Sequence, residues 1–252
     1  MRIATYNVLG LTGYPPQVAA GDLRDTERTV AHFAAVFSGL GCDVLALQEG
    51  PPPETMRRIA AALGMHLAAF PSPTAYPGYV LSRAPIRESR AYAHPGPGTR
   101  DGPFSRHAGA ALLEFGAHGL WVVDVHLHPH DLALRERETE RLRGHLQALA
   151  AGEAPVVVLG DCNSEPGAAV HRLLAGLGFG NAMERVGGGA APTMDTAGVR
   201  PLAIDHIYVS PSLAERLGTA RVVRDPGFRS DAPGQGWVHS DHLPVVAELR
   251  WP

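Results

Sequence analysis

The chain has 252 residues, of which 45% are apolar and 19% are charged, and its formal net charge is −3. This composition excludes a disordered or fibrous protein, and no apolar run reaches the roughly 18 residues that cross a membrane. All 22 basic residues are arginine, and their balance with 25 acidic residues argues against a surface devoted to nucleic-acid binding. We expect a soluble, cytoplasmic, monomeric protein that folds as one domain over residues 1–252.

Short apolar segments with β-branched residues predict strands along the whole chain. The predicted strands lie at 2–8, 43–48, 65–70, 78–83, 108–115, 119–127, 155–160, 203–209 and 244–250. Helical periodicity occurs between some of them, at 22–40, 54–63 and 131–150, with a shorter helix beginning near Gly167. Asp22 and Asp131 are the expected N-caps of the first and third helices.

The order of these elements indicates the fold class. A strand, a long helix and a strand at the start of the chain predict a parallel pair. The strands from 78–83 to 119–127 follow one another with little helix between them, as antiparallel strands do. The mixture predicts an α/β fold with mixed sheets, and the glycine-rich loops of Rossmann and Walker type are absent from the sequence.

Polar residues lie at or near the ends of almost every predicted core strand. They are Asn7, Glu49, His126, Asp161, Asn163, Asp205, Asp241 and His242. Singly, several have ordinary explanations, such as a turn for Asn7 or helix capping for Asp161. Asp205 is harder to explain in this way, because burying an unpaired carboxylate in an apolar strand is costly. Strand ends at one edge of a sheet are where α/β proteins bind ligands, so the whole set favours a site.

The same residues belong to short motifs that occur in a fixed order. These are TYNV at 5–8, LQE at 47–49, DVHL at 124–127, GDCN at 160–163, IDHI at 204–207 and SDHLPV at 240–245. Because it contains these motifs in this order, the chain resembles the endonuclease/exonuclease/phosphatase superfamily, the deoxyribonuclease-I-like hydrolases. The resemblance implies an α/β fold built as a four-layer α/β/β/α sandwich with two mixed β-sheets. Cys162 and His206 depart from the usual pattern, since aromatic residues are common at both positions.

The resemblance also implies a divalent metal, Mg²⁺ or alternatively Mn²⁺, and hydrolysis of a phosphoester. Glu49 matches the principal metal ligand, with Asn7 beside it and Asp241 completing the metal shell. Oxygen ligands of this kind suit hard cations, and a cation offsets the repulsion between a phosphoester anion and hydroxide. Whether one or two metal ions bind is left open.

The remaining matched residues imply the catalytic roles. Asp161 and Asn163 match the pair that orients the attacking water and the phosphate, and His126 matches a transition-state contact. Asp205 and His242 match a carboxylate–imidazole pair, in which the carboxylate can fix the tautomer of the imidazole. Either Asp161 or His242 takes the proton of the water.

Two other kinds of function compete with this interpretation. The segment HLHPHD at 126–131 is similar to a zinc-hydrolase signature, but its last two residues are inverted and Asp131 is well explained as a helix cap. A non-catalytic binding module on the same scaffold would have lost polar residues from the motifs, and each motif retains them.

Substrate choice depends on loops at 71–78, 94–103, 187–199 and 225–239. We expect a small or lipid-derived phosphodiester, with an endo- or exonuclease acting on DNA or RNA as the alternative. The arginines of helix 131–150 alternate with Glu136, Glu138 and Glu140, which predicts a solvated face of ion pairs. Arg106 and His107 open the strand at 108–115, and we expect them in an exposed loop outside the site, with contact to a substrate phosphate as the alternative.

Overall fold

The computed structural model describes residues 1–15, 26–92, 104–194, 201–230 and 237–251. Its strands are β1 (Arg2–Asn7), β2 (Val44–Gln48), β3 (His66–Phe70), β4 (Gly78–Ser82), β5 (Ile86–Ala91), β6 (His107–Phe115), β7 (His118–His126), β8 (Val156–Asp161), β9 (Gly180–Asn181), β10 (Asp205–Val209), β11 (Leu217–Val222) and β12 (Val245–Leu249). Its helices are α1 (Thr26–Leu40), α2 (Pro53–Leu63), α3 (Leu132–Ala150), α4 (Ala169–Gly176), α5 (Ala182–Val186) and α6 (Pro211–Ala214).

Within the described residues, the strands form two six-stranded sheets. Sheet I has the order β11-β12-β1-β2-β4-β3, and sheet II has the order β5-β6-β7-β8-β10-β9. β1 is parallel to β2, β7 is parallel to β8, and the other neighbours are antiparallel. Each parallel pair is connected through a helix, α1 in sheet I and α3 in sheet II, as a parallel crossover requires. The predicted mixed sheets are confirmed.

The side chains of β7 show how the layers are built. Leu120 and Val122 lie between the sheets and belong to a core shared with sheet I and its helices α1 and α2. Trp121 and Val123, which point to the opposite face, pack with apolar residues of α3 and α4. The layers are therefore helices, sheet I, sheet II and helices, and the α/β/β/α sandwich expected from the sequence is confirmed.

Three strands were not predicted from the sequence, and each has a weak apolar signal. β5 lies at the edge of sheet II and is mostly exposed along its sequence IRESRA. β9 has only two residues, and β11 exposes three of its six residues. Pairing with a neighbouring strand stabilises these segments, and single-segment periodicity does not report such pairing.

The helices largely follow the prediction. The predicted N-cap Asp22 lies outside the described residues, and α1 is described from Thr26. Asp131 caps α3 as predicted, since its Oδ1 accepts the backbone N–H of Leu134 at 2.9 Å. Among the described residues, no helix combines the length and the apolar character needed to span a bilayer.

A glycine fixes the approach of β8 to β7 just before a predicted site residue. Gly160 has φ +139°, and a Cβ at this position would lie 2.0 Å from the carbonyl oxygen of Val125. A backbone atom cannot move aside as a flexible side chain can, so the close contact requires glycine. The next residue is Asp161, and its placement at the end of β8 depends on this contact.

Candidate active site

The strand topology brings the predicted site residues to one end of the sandwich. Asn7, His126 and Asp161 end β1, β7 and β8. β10 is antiparallel to β8, so its first residue, Asp205, pairs directly with Asp161. β12 is antiparallel to β1, so His242, which precedes it, comes to the same end. The clustering thus follows from strand direction.

Asp161 lies at the centre of the cluster and is buried. Its Oδ2 accepts a hydrogen bond from Asn7 Nδ2 at 3.1 Å, and its Oδ1 accepts the backbone N–H of Asn163 at 2.8 Å. The Nε2 atoms of His126 and His242 lie 3.5 and 3.9 Å from Oδ2. Burial and the charge of Asp205 raise the pKa of Asp161 well above that of an ordinary aspartate.

Asp205 and His242 form the predicted carboxylate–imidazole pair. Asp205 Oδ2 lies 2.9 Å from His242 Nδ1, which leaves Nε2 directed towards Asp161. Burial alone would lower the pKa of His242, but the charge and hydrogen bond of Asp205 raise it to about 10. Thr193, which sequence analysis missed, supports the pair because its hydroxyl donates to Asp205 Oδ2 at 2.6 Å.

Glu49 and Asp241 supply carboxylates at the more open side of the cluster. Glu49 has φ +49°, a left-handed conformation that is uncommon outside glycine and turns its carboxylate out of the strand alternation. Its Oε1 lies 3.9 Å from His126 Nε2, and its side chain is 20% exposed. Burial raises the pKa of Glu49, and the charge of Asp241 adds to this effect. Ser240, which precedes Asp241, donates its hydroxyl to the carbonyl of Asn7 at 2.7 Å.

Three side chains of the cluster lie close enough together to share a metal ion, although hydrogen bonds already engage them. Among the described residues, ligand atoms of Asp161, Asp205 and His242 lie within 4.8 Å of one another. Several of these atoms already share hydrogen bonds with Asn7, with Thr193 or with each other.

The zinc interpretation of residues 126–131 gains no support from the geometry. His128 Nδ1 accepts the backbone N–H groups of His130 and Asp131, at 3.2 and 2.9 Å, and so is occupied within its own turn. In the described part of the chain, His126, His128 and His130 do not form a cluster of metal-ligand atoms.

Asn163 is held in place by a buried layer behind it. It has φ +46°, and its Nδ2 donates to the carbonyl of Leu127 at 2.9 Å. The next carbonyl, that of Ser164, lies 2.9 Å from His171 Nε2 and 3.1 Å from His206 Nε2. A carbonyl only accepts, so both imidazoles carry a proton on Nε2, and His206 serves as a hydrogen-bond donor.

The expectation that Arg106 and His107 lie in an exposed loop is wrong. The ring of His107 is fully buried, with Nε2 3.2 Å from Asp124 Oδ2. Gln48 Nε2 donates to the other oxygen of Asp124 at 2.7 Å, which links the two sheets below the site. Gly78 leaves the space that the His107 ring fills.

Arg106 is half-buried and close enough to the site for its charge to affect the pKa values of His126 and Glu49. Its guanidinium lies over the ring of Tyr76, 5.7 Å from the ring centroid. The charge of Arg106 contributes to lowering the pKa of His126, an effect dominated by burial. The register of β6 and β7 pairs His107 with His126. Extending the pairing from the predicted hairpin turn back to the start of β6 would therefore have placed Arg106 and His107 near His126.

His206 makes a testable contribution to the pH dependence of folding. Burial and the nearby His171 lower the pKa of His206 from 6.5 to about 4, so the unfolded chain takes up this proton first as the pH falls. Through this residue, the free energy of unfolding is expected to fall by about 3 kcal/mol between pH 6.5 and pH 4. In urea unfolding across this range, His206→Phe should show a flatter pH dependence than the wild type. The exposed His118→Phe is the control, and an unchanged slope in His206→Phe would contradict the assignment.

Comparison with known structures supports the fold. A mannosyl-6-phosphatase from Bacteroides thetaiotaomicron VPI-5482 is 17% identical with a TM-score of 0.76, over 100% of both chains. A 3'-5' exonuclease from Neisseria meningitidis is 22% identical with a TM-score of 0.71, also over 100% of both chains. Truncated TDP2 from Caenorhabditis elegans is 18% identical with a TM-score of 0.73, over 98% of this chain and 95% of that chain. At these identities, the likeness shows a shared fold alone.

Comparison of sequences identifies the family. No curated protein matches the chain. The profile described as Endonuclease/Exonuclease/phosphatase family matches residues 4–242, which include each of the predicted site residues. Because this match spans nearly the whole sequence, the chain belongs to the endonuclease/exonuclease/phosphatase family.

Proposed function

We propose that this protein hydrolyses a small or lipid-derived phosphodiester with the aid of Mg²⁺, for which Mn²⁺ is the alternative. Members of its family are hydrolases that act on phosphoesters. The observation that carries the proposal is the buried contact of the Asp205–His242 pair with Asp161, across 2.9 and 3.9 Å. This arrangement offers proton acceptors next to fixed hydrogen-bond donors, which is what attack of water on a phosphoester needs.

Asn7, Glu49 and Asp241 are proposed to hold the metal ion. Their side chains supply carboxylate and amide oxygens, and this donor set fits Mg²⁺ or Mn²⁺ better than zinc. Glu49 retains 20% of its side-chain exposure, so an ion can reach it from solvent. When bound, the ion supplies positive charge that offsets the negative charge of the phosphate.

Asp161 is proposed to accept the proton of the attacking water, beside His242, which Asp205 keeps protonated. Asp205 binds His242 at Nδ1, which keeps that nitrogen protonated and presents Nε2 at the site. Asn7 and the backbone of Asn163 hold the Asp161 carboxylate by hydrogen bonds to both oxygens. The orientation of the pair is therefore set before substrate binds, which lowers the cost of reaching the transition state.

The remaining groups are proposed to bind the phosphate. The amide of Asn163 donates one N–H to the carbonyl of Leu127 and retains a second N–H for a phosphate oxygen. His126 presents Nε2 between Glu49 and Asp161. Arg106 adds a permanent positive charge beside these residues, and a guanidinium can bind a phosphate through two hydrogen bonds.

Metal removal tests the proposal directly. Hydrolysis of bis(p-nitrophenyl) phosphate is expected to stop in excess EDTA and to return on addition of Mg²⁺ or Mn²⁺, because the proposed ligands are oxygen donors. The release of p-nitrophenol, followed by absorbance, measures the activity. Full activity in excess chelator would overturn the proposal.

Substitution of Asp161 and of His242 tests the site. Asp161→Asn and His242→Ala are each expected to lower kcat by at least about a hundredfold, because the first removes the proton acceptor and the second removes the positive charge held beside it. Circular dichroism and thermal unfolding should show a retained fold. His118→Ala is a matched control, since His118 is exposed at the opposite end of β7 from His126. Turnover near that of the wild type in either site variant would show that the site is misplaced.

Charge distribution favours a small substrate over duplex DNA. Duplex recognition needs clustered basic residues that contact several phosphates, whereas the net charge here is −3. On α3, Arg143 is paired with Glu140 at 3.0 Å, in agreement with a solvated face at that position. The alternative is a nuclease, and the similar exonuclease from Neisseria meningitidis is the reason to keep it.

A substrate panel separates these alternatives. We expect turnover of small phosphodiesters or phospholipids, with weak plasmid nicking at low salt that disappears at physiological ionic strength. Nicking that persists at physiological ionic strength without turnover of small substrates would favour the nuclease. Turnover of sugar phosphomonoesters alone would instead favour a phosphatase, as in the similar mannosyl-6-phosphatase.

A further inference from the structure

Glu138 is a buried acidic residue that the proposed chemistry does not use. The alternation of charges along α3 predicted that it faces solvent, and this is wrong because its side chain is fully buried. A buried carboxylate is costly unless hydrogen bonds compensate for the lost hydration. Its two oxygens accept backbone N–H groups, Oε1 from Ser105 at 2.6 Å and Oε2 from His128 at 2.8 Å.

These two N–H groups belong to segments that leave the ends of β6 and β7. The antiparallel register pairs His107 with His126, and continuing it by two residues sets Ser105 opposite His128. Glu138 thus binds both segments just beyond the point where the pairing of β6 with β7 ends. The same helix holds the second segment again, because Arg135 Nη1 donates to the carbonyl of His128 at 2.8 Å.

Arg106 lies between two residues that hydrogen bonds hold in place. Its preceding neighbour Ser105 is bound by Glu138 through the backbone, and its following neighbour His107 is bound by Asp124 through the ring. The backbone that carries the Arg106 side chain is therefore held on both sides. On the β7 side, Glu138 binds the backbone of His128, which lies two residues after His126.

We propose that Glu138 is a positioning residue, which acts through Ser105 and His128 to hold Arg106 beside His126 for phosphate binding. This inference rests on the proposed function, since it concerns the same site. A carboxylate is required because both partners are N–H donors. Glutamine would keep the shape but place an NH₂ group against one of them.

A double-mutant cycle tests the proposal on the full chain with bis(p-nitrophenyl) phosphate. Glu138→Gln is expected to raise KM about tenfold and to change kcat less than about threefold, as loss of a bound-phosphate contact would. Arg106→Ala should raise KM at least as much. In the Arg106→Ala background, Glu138→Gln should add less than about a twofold effect, because its partner is already absent.

Glu136→Gln is the matched control, since Glu136 is an exposed glutamate on the same helix, and its kinetics should equal those of the wild type. An effect of Glu138→Gln that is the same in both Arg106 backgrounds would show a merely structural role and overturn the proposal. Wild-type KM in Glu138→Gln would overturn it as well. If Glu138→Gln does not fold, Glu138→Asp, which keeps two acceptor oxygens on a shorter side chain, takes its place in the same cycle.

Amide hydrogen exchange gives a readout that does not depend on activity. Peptides that cover 104–108 and 127–131 should exchange faster in Glu138→Gln than in the wild type, and Glu136→Gln should leave them unchanged. Unchanged exchange in Glu138→Gln would overturn the inference. Absence of phosphoesterase activity in the wild type would refute the proposed function, while the exchange experiment would still test the role of Glu138.

Discussion

The carboxylate of Asp161 lies where the two sheets meet, and the geometry of the site depends on its position. Asn7, at the end of β1 in sheet I, donates to this carboxylate at the end of β8 in sheet II. Each of these strands belongs to a parallel pair with a helical crossover, and the hydrogen bond between Asn7 and Asp161 shows that the carboxyl ends of both pairs lie at the same end of the sandwich. The close approach at Gly160 sets how far β8 reaches before Asp161. A shift of either sheet would separate the two partners.

The concentration of ionisable groups at this end has an electrostatic cost that fixed donors offset. Asp161, Asp205 and His242 are all buried, and the charge of Asp205 raises the pKa of both Asp161 and His242. Like charges so close together are unfavourable, but Thr193, Asn7 and the imidazole of His242 donate to the carboxylates. These donors keep the carboxylates oriented before substrate binds, and electrostatic stabilisation of a transition state depends on groups that are oriented in advance.

Buried polar contacts behind the site residues support the site. His107, Asp124 and Gln48 connect the sheets below the site, and the imidazoles of His171 and His206 bind the carbonyl that follows Asn163. None of these contacts is made by neighbours in sequence. They hold Gln48 and Ser164, the sequence neighbours of Glu49 and Asn163, and so support the left-handed backbone conformations of these two residues, which cost free energy.

The sequence by itself determined most of the elements and the set of strand-end residues, but not the strands β5, β9 and β11. A polar residue that ends an apolar strand, as Asn7 and His126 do, falls at a sheet edge regardless of the rest of the chain, and the motif order points to the family. The burial of His107 and Glu138 was decided only by the tertiary structure. Locally, one belongs to a loop and the other to a charged helix, but pairing of β6 with β7 and packing of α3 across their ends enclose both. A local sequence pattern indicates which side of a single helix or strand is apolar. Contacts between distant elements arise only when the sheets and helices pack together.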